Sequence, residues 1–316
     1  MPMEPVLREL GKSLAMATPP LPAAEMDAAE ARRRGVVRAR LSGLIDDAAP
    51  DPERTVCWRD AQLRVRVTSV RGADGPLVLY LHSGGWVAGS TAATRRACRA
   101  LADGLDGTVV SLDYPLAPER PYPAALDSTL AALRWLASGE SGLSGDPGAV
   151  ILAGESAGGN LAAAALLRLR DCGEALPVRA ALLVVPVLDH DFTRPSYQRF
   201  DRGDIDGRSG MHWYASQYAG DPAADSPYVW PLRSAWLGGL PPTVLVQAEY
   251  DPLVDEQSEW ASRVTADGGR IELMRYPGVG HSFFGLDHLS PTARRAQEDA
   301  CAALSDLLDR WQWSLA

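Results

Sequence analysis

The chain has 316 residues, of which 46% are hydrophobic and 22% are charged, and its formal net charge is −9 at pH 7. The apolar content is that of a globular protein, which excludes an intrinsically disordered chain. The negative charge disfavours nucleic acids and anionic membrane surfaces as partners, because both attract positively charged proteins.

Residues 1–50 are rich in alanine, proline and charged side chains and carry no strand pattern. One helical pattern lies near 26–44, and the three arginines inside it, at 32–34, are typical of a solvated helix face. Asp51-Pro52 then marks a boundary, because proline interrupts regular structure. We therefore divide the chain into an N-terminal helical segment, residues 1–50, and a larger domain, residues 51–316.

The chain shows no targeting segment and no metal-binding pattern. The first fifteen residues carry four charged side chains and lack the apolar stretch of a signal peptide, and no apolar run reaches about 18 residues, the length that spans a membrane. We therefore expect a cytoplasmic protein without a membrane span. The four cysteines stand far apart and lack the spacing of metal ligands, so we expect reduced thiols and no metal site.

From residue 54 onward, short β-rich runs alternate with longer helical patterns. This alternation predicts an α/β fold with a mostly parallel, twisted sheet and helices on both faces. The predicted strands are 55–59, 63–70, 77–82, 108–113, 149–153, 180–187, 243–249 and 271–276. The predicted helices are 91–105, 122–138, 157–171, 253–267 and 291–312. Ligands of such sheets bind where the strands end, so we expect the chemistry at those ends.

The alternation stops between Leu188 and Leu240, in a stretch rich in Trp and Tyr. A structureless loop of about fifty residues is rare inside a compact domain. We interpret the stretch at about 189–240 as a helical insertion that packs over the end of the sheet, together with residues 1–50.

A G-x-S-x-G motif, GESAG at 154–158, lies between the apolar run at 149–153 and the helical pattern at 157–171. The motif requires this context, because the serine must sit in a strained turn with positive φ that exposes its Oγ above the sheet. The glycines avoid Cβ clashes in so tight a turn, and the start of the helix supplies free N–H groups. The sequence therefore predicts Ser156 as a nucleophile.

A serine becomes nucleophilic only beside a base. Among five histidines, His281 alone follows a late strand, 271–276, through the flexible segment Pro-Gly-Val-Gly. We predict His281 as the base and interpret His288, seven residues further on, as a surface residue.

The acid that orients the base is expected between the serine and the histidine in the chain, after the strand at 243–249. Asp251 directly follows that strand, whereas Asp255 lies one turn into the next helix, where acidic residues are common. We therefore predict Asp251 as the orienting acid.

The segment His82-Ser83-Gly84-Gly85-Trp86 follows the strand at 77–82. Paired glycines let backbone N–H groups approach a substrate oxygen, and each such donor contributes about 3 kcal/mol to a tetrahedral transition state. We predict the N–H groups of Gly84, Gly85 and Ala157 as an oxyanion hole, with His82 bracing the loop.

Together these motifs resemble the hormone-sensitive-lipase-like (family IV) carboxylesterases of the α/β-hydrolase fold. The matching stretches run from about 77 to 285 in the family's order and are LHSGGWVAGS, LDYPLAPERPYPAAL, GESAGGNLAAAAL, PVLD, LVQAEYDPLVDE and YPGVGHSFF. The resemblance implies an α/β-hydrolase fold with an eight-stranded sheet, a helical cap formed by residues 1–50 and the insertion, and no cofactor. It implies that the family's catalytic residues and oxyanion donors fall on Ser156, Asp251, His281, Gly84, Gly85 and Ala157.

Two positions depart from the family's pattern. Ser83 stands where the family has the first glycine of His-Gly-Gly-Gly, and Pro115 replaces the arginine of D-Y-R-L-A-P-E. The predicted donors come from the second and third glycines, so the oxyanion hole is expected to survive. A hydroxyl at Ser83 would stiffen or tilt the loop or contact the substrate, and Pro115 removes any hydrogen bond from that arginine.

These residues predict a serine hydrolase that cleaves esters through an acyl-enzyme, and the resemblance implies a carboxylesterase with short- to medium-chain acyl ester substrates. Two alternatives stay open: an N-acyl or N-formyl amidase or acyl transferase on the same triad, and a non-catalytic homologue that binds a small molecule. Side chains placed to line a substrate pocket are Ser83, Trp86, Met211, Trp213, Tyr214 and Phe283. By analogy with related esterases, a homodimer would form through the last strand and helix, roughly 270–312, although the oligomeric state stays open.

Overall fold

The computed structural model describes residues 2–45, 53–70, 72–200, 208–219 and 225–313. Eight strands in this part of the chain form one sheet in the order β1-β2-β4-β3-β5-β6-β7-β8. Only β2 pairs in antiparallel fashion, with β1 and with β4, and the other pairs are parallel. The prediction of a mostly parallel, eight-stranded sheet is therefore confirmed. The strands are β1 (Glu53–Trp58), β2 (Ala61–Ser69), β3 (Pro76–Leu81), β4 (Thr108–Leu112), β5 (Asp146–Glu155), β6 (Val178–Val184), β7 (Thr243–Tyr250) and β8 (Ile271–Gly280).

Helices cover both faces of this sheet, because the apolar side chains of its central strands alternate between two hydrophobic clusters. In β3, Leu79 and Leu81 lie in one cluster, whereas Val78 and Tyr80 lie in the other. Helices α4, α5 and α8 pack on the first cluster, and α3 and α9 pack on the second. The helices are α1 (Pro5–Ala17), α2 (Ala28–Leu41), α3 (Arg95–Leu105), α4 (Ala124–Ala137), α5 (Ala157–Asp171), α6 (Pro195–Phe200), α7 (Arg208–Ala219), α8 (Val254–Ala266) and α9 (Pro291–Trp313).

The N-terminal segment differs from the sequence prediction in two respects. Helix α1 was not predicted, and Leu7 is its one buried residue. The prediction of a solvated face at 32–34 is wrong for Arg34, which is 4% exposed and donates to the carbonyls of Thr18, at 2.8 Å, and Pro19, at 2.6 Å. A buried guanidinium needs such acceptors, and the position of these carbonyls could not be read from the local sequence.

The stretch interpreted as an insertion contains α6, α7 and a short 3-10 turn at Pro231–Arg233. Its two ends are joined at the side chain of Asp189, which accepts hydrogen bonds from Arg194 at 2.5 Å and from Arg233 at 2.7 Å. The carbonyl of Tyr218, on α7, accepts a hydrogen bond from the backbone N–H of Tyr122 at 2.9 Å, so α7 lies against the loop that precedes α4. Parts of the stretch, 201–207 and 220–224, lie outside the described residues.

None of the helices in the described ranges is long and apolar enough to cross a membrane.

Candidate active site

The turn at Ser156 joins the end of β5 to the start of α5. Ser156 has φ 56° and ψ −115°, the positive φ expected of a strained turn. A Cβ at Gly154 would lie 2.2 Å from the carbonyl oxygen of Gly158, and a Cβ at Gly158 would lie 2.1 Å from that of Leu81. Glycine is therefore required on both sides of the serine, because any side chain would overlap backbone atoms.

Two loops from neighbouring strands bring a histidine and a carboxylate to this serine. His281, after β8, has its Nε2 2.9 Å from Ser156 Oγ and its Nδ1 3.0 Å from Asp251 Oδ1, after β7. With the proton on Nδ1, the imidazole donates to Asp251 and accepts from the serine hydroxyl. The three residues thus form a continuous hydrogen-bonded chain at the ends of parallel strands.

The carboxylate of Asp251 is fully buried and held by two further donors. The backbone N–H of Leu253 donates to Oδ1 at 2.9 Å, and the side-chain amide of Gln257 donates to Oδ2 at 3.1 Å. These bonds hold the carboxylate in the orientation in which Oδ1 accepts from His281. Sequence reasoning missed Gln257, because an uncharged residue within a helix carries no signal of this contact.

A second carboxyl, that of Glu155, lies directly before the serine at the end of β5. Burial raises the pKa of Glu155 to about 7, and a positive charge on the nearby His281 would act in the opposite direction. The burial of Glu155 could have been suspected from the sequence, because a glutamate at the end of an apolar strand is unusual.

The loop after β3 carries the predicted oxyanion donors. Gly84, Gly85 and Trp86 all have positive φ, at 127°, 60° and 61°. A Cβ at Gly84 would lie 2.2 Å from the carbonyl oxygen of Ala88, so the loop closes tightly on itself. Ala157 is the first residue of α5, and the first N–H groups of a helix have no partner within the helix.

The ring of His82 lies buried beneath this loop. Its Nδ1 donates to the carbonyl oxygen of Ser83 at 2.8 Å, and its ring stacks on Tyr114 with 4.1 Å between ring centroids. Burial lowers the pKa of His82 to about 4, so the ring is neutral at pH 7. It can brace the loop but has no bond to Ser156.

The predicted pocket residues fall into two groups. Ser83 lies half-buried in the loop after β3, and Met211, Trp213 and Tyr214 lie half-buried on α7. The ring of Tyr214 lies directly against the loop, since a Cβ at Gly85 would be 2.4 Å from its Cδ1.

The other two predicted pocket residues are placed in the hydrophobic core. Trp86 is 0% exposed and stacks on Tyr218, with 4.6 Å between ring centroids. Phe283 is 1% exposed and packs against Phe284 and Tyr276. This placement differs from the prediction, because fully buried side chains offer no surface to a substrate. Their neighbours come from distant parts of the chain and could not be read locally.

Across the described residues, no group of three or more His, Cys, Asp or Glu side chains could hold a metal ion.

Known proteins resemble this chain over most of its length. Residues 78–285 match the protein family described as alpha/beta hydrolase fold. The carboxylesterase NlhH of Mycobacterium tuberculosis is 36% identical over 287 residues, which cover 86% of this chain and 89% of that protein. An ethyl acetate hydrolase of Pseudomonas putida is 32% identical and covers 84% of this chain and 86% of its own length. The solved structure of a hyperthermophilic esterase from the archaeon Pyrobaculum calidifontis has a TM-score of 0.87 at 32% identity, covering 98% of this chain and 99% of that one.

Proposed function

Because this chain belongs to the hormone-sensitive-lipase-like (family IV) branch of the α/β-hydrolase fold and is a carboxylic ester hydrolase, we propose that Ser156, His281 and Asp251 carry out the hydrolysis. The observation that carries the proposal is the hydrogen-bonded chain from Ser156 Oγ through His281 to Asp251, with distances of 2.9 and 3.0 Å. The relatives confirm the family and the reaction class predicted from the sequence, whereas the residue roles are our assignment.

In the first half of the reaction, His281 Nε2 takes the hydroxyl proton of Ser156 while Oγ attacks the ester carbonyl carbon. The C=O π pair moves to the carbonyl oxygen, giving a tetrahedral intermediate. His281 then gives its proton to the leaving alcohol oxygen as the ester C–O bond breaks. The product is an acyl-enzyme on Ser156 and a free alcohol.

In the second half, His281 takes a proton from water, and the resulting hydroxide attacks the acyl-enzyme carbonyl. Collapse of the second intermediate returns the proton to Ser156 and releases the acid. Asp251 keeps the proton of the resting imidazole on Nδ1 and stabilises the imidazolium that forms in each half. Its full burial supports this role, because a carboxylate away from water interacts more strongly with a neighbouring charge.

The N–H groups of Gly84, Gly85 and Ala157 stabilise the negative oxygen of both intermediates. Half-buried Gly84 and Gly85 leave their backbone open to a substrate, and α5 contributes the positive end of its dipole at Ala157. The positive φ at both glycines supports the assignment, since it turns the backbone in a way that other residues rarely adopt.

The substrate is an ester with a short- to medium-length acyl chain. Half-buried Tyr214, on α7, lies next to the oxyanion loop, and half-buried Trp213 packs on it with 5.1 Å between ring centroids; both offer an apolar surface for such a chain. In this proposal, α6 and α7 together with the N-terminal helices α1 and α2 form the cap that limits the length of the acyl chain.

The outer edge of β8 is proposed as the contact of a homodimer. β8 is the last strand in the sheet order, and Leu273 on it is 43% exposed. The backbone N–H of Glu4 donates to the carbonyl oxygen of Gly278 near the end of β8 at 2.8 Å, so the proposed contact is the part of the strand around Leu273, since sheet edges favour pairing with a second strand. Sedimentation over a range of concentrations should give a dimer that Leu273→Asp weakens, whereas a monomer at every concentration would overturn this assignment.

The experiment for the catalytic proposal measures hydrolysis of p-nitrophenyl esters from C2 to C12 with the wild type and with Ser156→Ala. We expect turnover that peaks at short or medium chains and falls in kcat on the order of 10⁶-fold in the variant. Full activity of Ser156→Ala would overturn the assignment of the nucleophile. If none of these esters is hydrolysed but an N-acyl amide is cleaved or an acyl group is transferred to a second alcohol, the proposed ester substrate would be wrong.

A further inference from the structure

The side chain of Arg32, on α2, connects the N-terminal segment to two loops at the active site. Its Nε donates to the carbonyl oxygen of Val87 at 2.9 Å, and one terminal nitrogen donates to that of Ala117 at 3.0 Å. Val87 lies in the loop after β3, and Ala117 lies in the loop after β4. One guanidinium therefore bridges residues that are 55 and 85 positions away in the chain.

Glu119 holds the guanidinium in this orientation. Its two carboxylate oxygens accept from the two terminal nitrogens of Arg32, at 2.8 and 2.5 Å. Arg32 and Glu119 are 34% and 58% exposed, and an exposed ion pair contributes only about 0–1 kcal/mol to folding. Two parallel hydrogen bonds to one carboxylate do, however, fix the orientation of the planar guanidinium as well as its distance. The pair thus contributes more to geometry than to stability.

The carbonyl that Arg32 binds belongs to the tight turn that presents the oxyanion glycines. The backbone N–H of Val87 donates to the carbonyl oxygen of Gly84 at 3.2 Å, and that of Ala88 donates to the same oxygen at 2.9 Å. The backbone N–H of Ala117 donates to the carbonyl oxygen of Trp86 at 2.9 Å. A rotation of the Val87 peptide would therefore be passed directly to Gly84 and Gly85.

In the loop that contains Ala117, residues 113–119 read DYPLAPE, and Arg120, which follows them, is exposed. We propose that Arg32 is a positioning residue that sets the direction of the oxyanion N–H groups from outside the catalytic domain. The inference rests on the proposed roles of Gly84 and Gly85. The hydrogen-bond partners of Arg32 are Val87, Ala117 and Glu119, so it acts on the reaction through the loops and is not a catalytic residue.

Arg33, the next residue of α2, provides a matched control. It also forms a bidentate pair with a glutamate, Glu30, at 2.6 and 2.7 Å, but this pair stays within α2. Its side chain is 56% exposed. Arg32→Leu and Arg33→Leu therefore remove the same charge and the same kind of ion pair, and only the first removes the bonds to the two loops.

The test measures kcat and KM for p-nitrophenyl butyrate and the affinity of an alkyl boronic acid, which forms a tetrahedral adduct with the nucleophile. A shift of about 1 Å in a catalytic group can cost about 10²-fold, so we expect Arg32→Leu to lower kcat/KM by roughly 10- to 100-fold, mainly through kcat. Boronic acid affinity should fall in parallel, while the thermal midpoint changes by no more than in Arg33→Leu. Arg33→Leu should keep wild-type kinetics.

Glu119→Gln gives a second, milder test that also applies if Arg32→Leu does not fold. It leaves Arg32 in place but removes the carboxylate that orients it, so kcat/KM and boronic acid affinity should fall together by a smaller factor. The double variant should be no worse than Arg32→Leu, because both changes act on one contact. Wild-type values in Glu119→Gln and Arg32→Leu, or in Glu119→Gln alone if Arg32→Leu is unfolded, would overturn the inference. Full activity of Ser156→Ala would instead overturn the proposed function.

Discussion

The turn at Ser156 and the loop at Gly84 lie side by side, yet the chain builds them in different ways. The turn is made mainly by neighbours in sequence, since β5, two glycines and α5 follow one another over residues 146–171 and Gly154 packs against Gly158. Gly158 also lies against the carbonyl oxygen of Leu81, at the end of β3. The loop depends on residues from distant parts of the chain, namely Arg32, Ala117 and Tyr214. A nucleophile can thus be specified locally, whereas the donors for the oxyanion are assembled by the tertiary structure.

Among the variants that break this contrast, we expect the largest loss of activity at Asp251. Like the partners of the Gly84 loop, Asp251 comes from a part of the chain distant from Ser156. Asp251→Asn should lower kcat about 10⁴-fold, because the amide favours the wrong tautomer of His281. Steady-state kinetics on p-nitrophenyl butyrate measure the change. Asp255→Asn is the control, since the Asp255 carboxylate instead accepts from the backbone of Ser196 at 2.8 Å. Equal losses in the two variants would contradict the assignment.

A methyl group placed in the loop should have the next largest effect. The Cβ in Gly84→Ala would meet backbone at 2.2 Å and the residue has a φ of 127°, so the loop must move. We expect kcat to fall about 10²- to 10³-fold, as for the loss of one oxyanion donor. Gly11→Ala, in α1 with open space around it, should keep full activity. Full activity of Gly84→Ala would contradict the assignment of the oxyanion donors to this loop.

The local turn carries a pH dependence of its own, through Glu155. Burial raises the pKa of this carboxyl to about 7 from an unfolded value of 4.5, so the folded state keeps a proton that the unfolded state has lost. The contribution of this group to the free energy of unfolding should therefore be greatest below pH 4.5. It should fall by about 3 kcal/mol as the pH rises from 4.5 through 7.

Chemical denaturation at pH 5 and pH 8 measures this difference. Glu155→Gln should abolish most of it, whereas Glu9→Gln, at an exposed residue paired with Lys12, should leave it unchanged. A Glu155→Gln variant with the pH dependence of the wild type would show that the carboxyl does not hold its proton in the folded state.

The smallest effect is expected at the start of α2, the helix that carries Arg32. Asp27 Oδ1 accepts from the backbone N–H of Glu30 at 2.7 Å, which is an N-cap bond. Asp27→Ala should cost about 1 kcal/mol of stability, and Asp27→Asn should retain most of it. The unfolding free energy in urea measures both, and a loss in Asp27→Asn as large as in Asp27→Ala would argue against capping.

The same contrast explains which features could be predicted from the sequence. The strands, the parallel sheet and the positions of Asp251 and His281 after β7 and β8 follow from local periodicity and from chain order. The core positions of Trp86 and Phe283, the burial of Arg34 and the contacts of Arg32 depend on partners far along the chain. Helix α1 could have been predicted, because its apolar residues Val6, Leu7, Leu10 and Leu14 recur at helical spacing, although only Leu7 among them is buried.

The most direct test of the central claim, that His281 activates Ser156 as the nucleophile, is covalent labelling with a fluorophosphonate followed by peptide mass spectrometry. We predict one adduct on the peptide that contains Ser156, and labelling that slows by several orders of magnitude in His281→Ala but keeps its rate in His288→Ala. An adduct on another residue, or wild-type labelling of His281→Ala, would contradict the account.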